Sequence, residues 1–254
     1  MPQNSFVQSA ERIFSIMEIL AERGPMTLTE ISKELSLHKT TVSRLAGSLI
    51  SMGYAKRNPD GRYALTFKML GLAGRMLEKT DIISLSRPHI ERLAEISGET
   101  VHFVRREGIW IVYIDKVESN ANSVRMVSRI GLRQPVYCTA VGKAMLAELP
   151  LEKVREIWDG SEIKKYTPNT ITDFNDLLNE LEEIRKNGYA IDNEENELGV
   201  RCIAASIKNF EGKADNAFSI SAPVSRLSDE RVEMLSRYLL ETKEKLSREL
   251  GGIL

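Results

Sequence analysis

Residues 26–63 hold the arrangement that most restricts what this chain can fold into. Thr27-Leu-Thr-Glu30-Ile-Ser-Lys-Glu-Leu35 predicts a short helix. Thr27 can cap its first turn while Glu30 reaches back, a capping box that satisfies two orphan amides. Ser36-Leu37-His38 breaks that helix. A second helix runs over 39–52, and Gly53 ends it where a left-handed residue is commonly needed. Val42, Leu45, Leu49 and Met52 recur at three- and four-residue spacing and share one face. Lys39, Thr40, Thr41, Ser43, Arg44 and Ser48 occupy the others. Residues 54–57 and 62–65 then read as two short strands around Asn58-Pro-Asp-Gly61, whose Asp60-Gly61 is a strong hairpin signal. The layout is helix, turn, helix, wing.

That layout suits a reader of double-stranded DNA. A recognition helix must bury one side while offering hydroxyls and forked cations to base edges and phosphates. Residues 38–68 carry Lys39, Arg44, Lys56, Arg57, Arg62 and Lys68 against the single acid Asp60. The local charge is therefore about +5 on a chain whose formal total is −1. A basic face used only for protein contacts is the alternative. Against it, the charge sits on the second helix and the wing together. Residues 1–78 hold ten Lys/Arg and seven Asp/Glu, which leaves 25 and 29 of the totals of 35 and 36 for the rest. A mildly basic head on an acidic body fits a protein whose head alone touches nucleic acid.

Length and composition bound the remainder. A chain of 254 residues, 42% hydrophobic and 28% charged, is expected to hold two domains, each with its own core. No stretch approaches the roughly 20 apolar residues of a membrane span, and the start lacks the pattern of a secretion signal. Cys138 and Cys202 are the only cysteines and show no metal-ligand spacing. The expectation is a protein of the reducing cytoplasm with no membrane partner and no cofactor.

Along the chain, residues 8–23 form a helix with Ile13, Ile16, Met17 and Leu20 on one face, stopped by Gly24-Pro25. Residues 66–77 place Phe67, Leu70, Ala73 and Leu77 at helical spacing, with Gly71 and Gly74 permitting close approach of another backbone. This reads as a linker helix and a candidate subunit contact. Residues 81–97 are helical in pattern, with Pro88 expected to kink or split them. The period then changes. Strands are expected at 100–105, 109–117 and 124–128, helices at 140–149, 151–158 and 174–186, strands at 189–192, 201–207 and 217–221, and a final helix at 229–250. This order predicts an α+β domain on a mostly antiparallel sheet. The expected divisions are a winged helix-turn-helix domain over 1–66, a linker helix over 67–80 and a second domain over 81–254.

Three stretches carry a family resemblance across nearly the whole chain. The head has Thr29-Glu30-Ile31, then His38-Lys-Thr-Thr-Val-Ser-Arg-Leu45 and Gly53-Tyr54. The middle has Gly131-Leu-Arg-Gln-Pro135 leading to Thr139-Ala-Val-Gly-Lys-Ala-Met-Leu-Ala147. The third has Gly188-Tyr-Ala-Ile-Asp192-Asn-Glu-Glu195, Gly199-Val-Arg-Cys202-Ile-Ala-Ala205 and Ser219-Ile-Ser-Ala-Pro223. In this order and spacing they resemble bacterial transcriptional regulators of the IclR family. His38 and Ser206 stand where proline is common in that family, and His38 lies at the reading helix. The resemblance implies a winged-helix head, a linker helix, a GAF-like domain that binds a small metabolite, and assembly as a homodimer or homotetramer. It implies a DNA operator as partner, and placement on the second helix and the wing makes Lys39, Thr40, Thr41, Ser43, Arg44, Lys56, Arg57 and Arg62 the expected base and phosphate contacts.

The resemblance also points to an effector pocket at Ala140 and Val141 with Asp192, Cys202, Ser219 and Ser221. The residues agree in chemistry. Amides at a helix start favour a carboxylate or phosphate. Ser219 and Ser221, two apart on a strand, project from one face, and Cys202 shares such alternation with Ala204. A buried Asp192 would need a ligand hydroxyl or an inner amide as partner. The alternative is that both serines face outward and Cys202 is a small buried hydrophobe. The expected ligand is a small organic acid, a hydroxy or keto acid, since the chain has neither a P-loop nor an apolar run to line a lipid tunnel. His102, Asp192 and the two cysteines lie too scattered to predict a metal site. His89 and His38 read as surface and turn residues, Trp110 and Trp158 as core or half-buried packing, and the run 194–197 as a solvated loop. The rival function is a thiol redox enzyme using Cys138 and Cys202, against which no base is evident beside either cysteine.

Overall fold

The computed structural model describes residues 7–118 and 128–252, in two compact units that divide between Thr80 and Asp81. The first unit contains α1 (Gln8–Arg23), α2 (Leu28–Glu34), α3 (Lys39–Ser51), the antiparallel pair β1 (Ala55–Arg57) and β2 (Tyr63–Leu65), and α4 (Lys68–Lys79). The expected capping box is present: Thr27 Oγ1 accepts the Glu30 amide at 3.3 Å, and the Thr27 amide donates to Glu30 Oε2 at 2.7 Å. One core gathers Ile16, Ile19 and Leu20 of α1, Ile31 of α2, and Val42, Leu45, Ala46 and Leu49 of α3 under Tyr63 of the wing. Met52, expected on that inner face, is 46% exposed. It caps α3 rather than continuing it, so the helical spacing no longer sets its direction. Gly53 follows at φ +77°, the left-handed conformation that releases the chain into β1.

The second unit contains α5 (Ile82–Ser97), β3 (Thr100–Glu107), β4 (Trp110–Val117), β5 (Arg133–Pro135), α6 (Ala140–Leu146), α7 (Leu151–Asp159), α8 (Phe174–Asn187), β6 (Ala190–Asn193), β7 (Val200–Ile207), β8 (Asn216–Pro223), a 3-10 turn at Val224–Arg226 and α9 (Asp229–Glu249). Its six strands form one antiparallel sheet in the order β5-β4-β3-β8-β7-β6. Helices cover both faces. Ile90 and Leu93 of α5 and Leu235 and Leu239 of α9 join Val101, Phe103, Ile203 and Ile220 in one core. Met145 of α6, Val154 of α7, and Leu177 and Leu181 of α8 join Val104, Ile111, Ala204 and Ala217 in the other. Double coverage is why the first five residues of β3 are all buried instead of alternating.

A further expectation changes, one strand is new and one expected strand falls outside the described residues. Pro88 does not split α5, which runs unbroken through it. Proline removes one amide donor, and Ser84 and Pro88 both lie on the exposed side, where water can serve the freed carbonyl. Residues 133–135 form an edge strand paired with β4 that the sequence pattern did not suggest, three residues being too few to show a period. The strand expected at 124–128 lies outside the described residues except for Ser128, which is in no strand.

Candidate functional site

In the first unit the buried stripe of α3 turns the opposite side to solvent. Lys39, Thr40, Ser43 and Arg44 are exposed and Thr41 is partly so. None of the five side chains has a hydrogen bond or ion pair among the described residues. His38, at the N-cap, accepts no amide with its side chain, so the first amides of α3 are left without the side-chain partner that Thr27 supplies to α2. An uncapped helix start beside unpaired cations is an anion-binding arrangement. The wing is differently organised. Lys56 is exposed and without a side-chain partner, while Arg57 lies 5.8 Å from the Tyr63 ring centroid and donates from Nε to the Gly61 carbonyl at 3.3 Å. Arg62 is the least free. It donates to the Pro25 carbonyl at 3.1 Å and lies 3.7 Å from both Glu30 and Asp60. Lys68 bonds the Met52 carbonyl at 2.6 Å over the Tyr54 ring, tying the start of α4 to the end of α3.

In the second unit, Ala140, Val141, Asp192, Cys202, Ser219 and Ser221 all line one cavity of about 260 Å³. Sheet register explains the grouping. Asp192 pairs with Cys202 across β6 and β7, Cys202 with Ser221 across β7 and β8, and Ser219 with His102 across β8 and β3. These residues form a polar row on the face that carries α6. Small residues in the row, with Ala190 and Ala204 beside it, let α6 approach. Gly142 fixes the approach: a Cβ there would sit 2.1 Å from the Val136 carbonyl oxygen. Thr139 caps α6 by accepting the Gly142 amide at 3.2 Å and donates to the Pro135 carbonyl at 3.0 Å. Its carbonyl takes the Lys143 amide at 2.9 Å. The Ala140 and Val141 amides have no acceptor among the described residues.

The floor of the cavity is neutral. His102 is buried, and burial followed by the nearby Lys116 ammonium pushes its ring down to about 3. Its nitrogens lie 3.2 Å from Ser221 Oγ and 2.6 Å from Ser128 Oγ, and its ring meets Tyr113 edge-on at 5.0 Å. Ser219 and Ser221 hydroxyls are 3.3 Å apart. Asp192 supplies the charge. Its Oδ1 accepts the Glu195 amide at 2.7 Å and the Asn196 amide at 3.4 Å, the inner partners a buried aspartate requires. Burial raises it to about 6 against the pull of those amides and of Lys143.

Sequence reading missed what stands behind Asp192. Glu195, expected in a solvated loop, is 5% exposed and pairs with Lys143, which is fully buried. Lys143 also bonds Glu180 at 2.8 Å. Burial lowers Lys143, but Glu195 and Glu180 together raise it on balance. Burial lifts Glu195 to about 7 even with Lys143 beside it, and its Oε2 has no partner. His102, Tyr113, Gln134 and Asn196 also line the cavity without having been selected for it. His102 could have been found from the 100–105 alternation only once β3 was known to pair with β8. His89 is half-buried and meets Glu249 at 3.2 Å. Trp110 is 37% exposed at the start of β4, and Trp158 meets Tyr137 edge-on and Phe174 at a tilt.

Neither cysteine resembles a redox nucleophile. Burial drives both thiols upward, with Asp192 adding to the effect, the reverse of what stabilises a thiolate. Among the described residues no group of three or more His, Cys, Asp or Glu could hold a metal, and no helix is long and apolar enough to cross a membrane.

Comparison with known proteins agrees with both units. A family model described as the IclR helix-turn-helix domain matches residues 9–59, and one described as the bacterial transcriptional regulator IclR C-terminal domain matches residues 74–248. The chain is 36% identical over 250 residues to the HTH-type transcriptional regulator KdgR of Escherichia coli K12, covering 98% of this chain and 95% of that one. It is 37% identical over 248 residues to the DNA-binding transcriptional repressor YiaJ of the same strain, covering 96% and 88%. The crystal structure of the Thermotoga maritima IclR superposes with a TM-score of 0.65 at 34% identity, covering 96% and 99%.

Proposed function

The chain belongs to the IclR family of DNA-binding transcriptional regulators, which are not enzymes, and we propose that it is a repressor of a catabolic operon released by a small organic acid. YiaJ, named a repressor, supports the direction of control. The observation that carries the reading is the convergence of Ala140, Val141, Asp192, Cys202, Ser219 and Ser221 on one cavity. At about 260 Å³ it lies just below the roughly 300–1,000 Å³ of ordinary ligand sites, so its occupant is small. The acid end belongs at the unpartnered Ala140 and Val141 amides, away from Asp192. A hydroxyl or keto oxygen belongs among Ser219, Ser221 and Asp192. One carboxylate beside Asp192 would be repelled, so the ligand is bifunctional.

On DNA, Thr41 and Arg44 are the base-reading residues of α3, with Lys39, Thr40 and Ser43 flanking them, and Lys56 and Arg57 hold phosphates from the wing. Arg62 joins them while bracing the wing against Pro25 and Glu30. A single reading helix needs a second half-site for useful affinity, so the working form is a homodimer or a homotetramer built from it. Phe67, just before α4, and Leu70 within it are each more than 60% exposed and, with exposed Ala73, supply the apolar face for a subunit contact. Calorimetry with a panel of sugar acids and keto acids tests the cavity. A Ser219→Ala/Ser221→Ala variant should lose binding of whichever acid binds the wild type. Unchanged affinity in that variant would move the effector elsewhere.

A further inference from the structure

A second cavity of about 470 Å³ lies in the C-terminal unit, away from the residues of the first. Its charged lining consists of Arg185, Lys208, Lys243 and Glu148. Three cations meet one carboxylate, an excess of two positive charges in a body that is acidic overall. They arrive from different elements: Arg185 from α8, Lys208 just beyond β7 and Lys243 from α9. Glu148 sits among them, 2.8 Å from Lys208 Nζ and 3.5 Å from Lys243 Nζ, and accepts from the buried Ser206 hydroxyl at 3.3 Å. Lys243 also donates to the Gly188 carbonyl at 3.2 Å.

Arg185 shows that the cations are not all consumed. Its Nε bonds the Ala147 carbonyl at 2.7 Å, which anchors the guanidinium at the end of α6. Its two terminal nitrogens have no protein acceptor among the described residues. An anchored guanidinium whose fork is open to solvent, next to two lysines sharing one carboxylate, is an arrangement suited to an anion.

We propose that this cavity is a second ligand site, for a small phosphate-bearing molecule. A phosphate monoester carries about −2 at neutral pH and three acceptor oxygens, which matches the excess charge and the number of cations. A monocarboxylate would neutralise half of it. Ser206 and Glu148 lie within the same cavity to meet a hydroxyl on the ligand's remainder. The site is independent of the first cavity, so a regulator built this way reads two metabolites, an acid and a phosphate ester.

Titration calorimetry of the full-length protein at fixed ionic strength, with inorganic phosphate and with glucose 6-phosphate, tests this. We expect saturable binding of one molecule per chain for at least one probe. Tighter binding of glucose 6-phosphate assigns a phosphorylated metabolite, and tighter binding of inorganic phosphate assigns the free ion. Lys208→Gln should weaken binding roughly tenfold through loss of one charge-assisted contact. Glu148→Gln should strengthen it, because the excess rises from two charges to three, a gain that neither misfolding nor a purely structural ion-pair network would produce. Ser219→Ala/Ser221→Ala should leave it unchanged. No saturable binding of either probe, or binding indifferent to both Lys208→Gln and Glu148→Gln, would overturn the assignment.

Discussion

Replacing Lys143 with methionine keeps most of the length of the side chain and removes the charge at the back of the proposed effector cavity. Lys143 is fully buried between Glu195 and Glu180. The Glu180 side chain is about one-third exposed and can turn to water, but the Glu195 side chain is buried and cannot. Breaking a buried pair by removing one partner costs about 3–5 kcal/mol where the remaining charge stays ionised. Glu195 can take up a proton, however, which caps the loss at about 1.4 kcal/mol for each pH unit above its folded value of about 7. At roughly 2–4 °C per kcal/mol for a unit of this size, the midpoint of the C-terminal unit should fall by about 3–6 °C at pH 8. The pH dependence has a definite sign. Glu195 already stands at about 7 in the folded protein, above its unfolded value, so it binds protons more tightly when folded. Its cost therefore grows as pH rises from the unfolded value through about 7, and loss of Lys143 extends that window upward. The deficit of Lys143→Met should be large at pH 8 and small at pH 5.5. Adding Glu195→Gln should recover most of it, because the amide that bonds Asp192 is Glu195's backbone and survives. Urea melts of the three proteins at both pH values decide the matter. A deficit below about 1 kcal/mol, the level of an exposed pair, or one that is equal at both pH values, would refute the reasoning.

Other perturbations follow from the same geometry. Arg44→Ala should cost about 1–3 kcal/mol on the operator and relax preference at one base pair, whereas Arg57→Ala should weaken operator and random DNA alike and lower the salt slope by about one; anisotropy titrations at several salt concentrations separate the two. Gly142→Ala should prevent α6 from seating on Val136, seen as loss of the cooperative C-terminal melting transition while the head still melts normally. Affinity for the acid effector should fall as pH rises through about 6, since an ionised Asp192 repels the ligand's charge, and Asp192→Asn should flatten that profile in calorimetry between pH 5 and 8.

The head was legible because each of its signals is local. Thr27 and Glu30 cap within one turn, Val42, Leu45 and Leu49 mark one helix face, and Asp60-Gly61 closes a hairpin by itself. Six cavity residues were reachable because family motifs placed them, although Asp192 and Ser221 become near neighbours only through strand pairing. His102 and the Lys143–Glu195 pair were not reachable. A lysine at the start of a helix and a glutamate in an acidic run look solvated in sequence, and only the three-dimensional approach of α6 to the end of β6 makes them a buried pair. Met52 misled because periodicity describes helix interiors and Met52 is a cap, and Pro88 because the carbonyl it frees faces water.

The central claim is that the head binds DNA while the cavity of Ser219 and Ser221 decides when. Anisotropy of a labelled operator fragment, found by footprinting beside the protein's own gene, measures it most directly when wild type and the Ser219→Ala/Ser221→Ala variant are titrated with the acid that calorimetry selects. The account predicts equal operator affinity for both proteins without the acid, and release by the acid from the wild type alone. Release of the variant at the same acid concentration, or loss of its operator binding in the absence of acid, would contradict it.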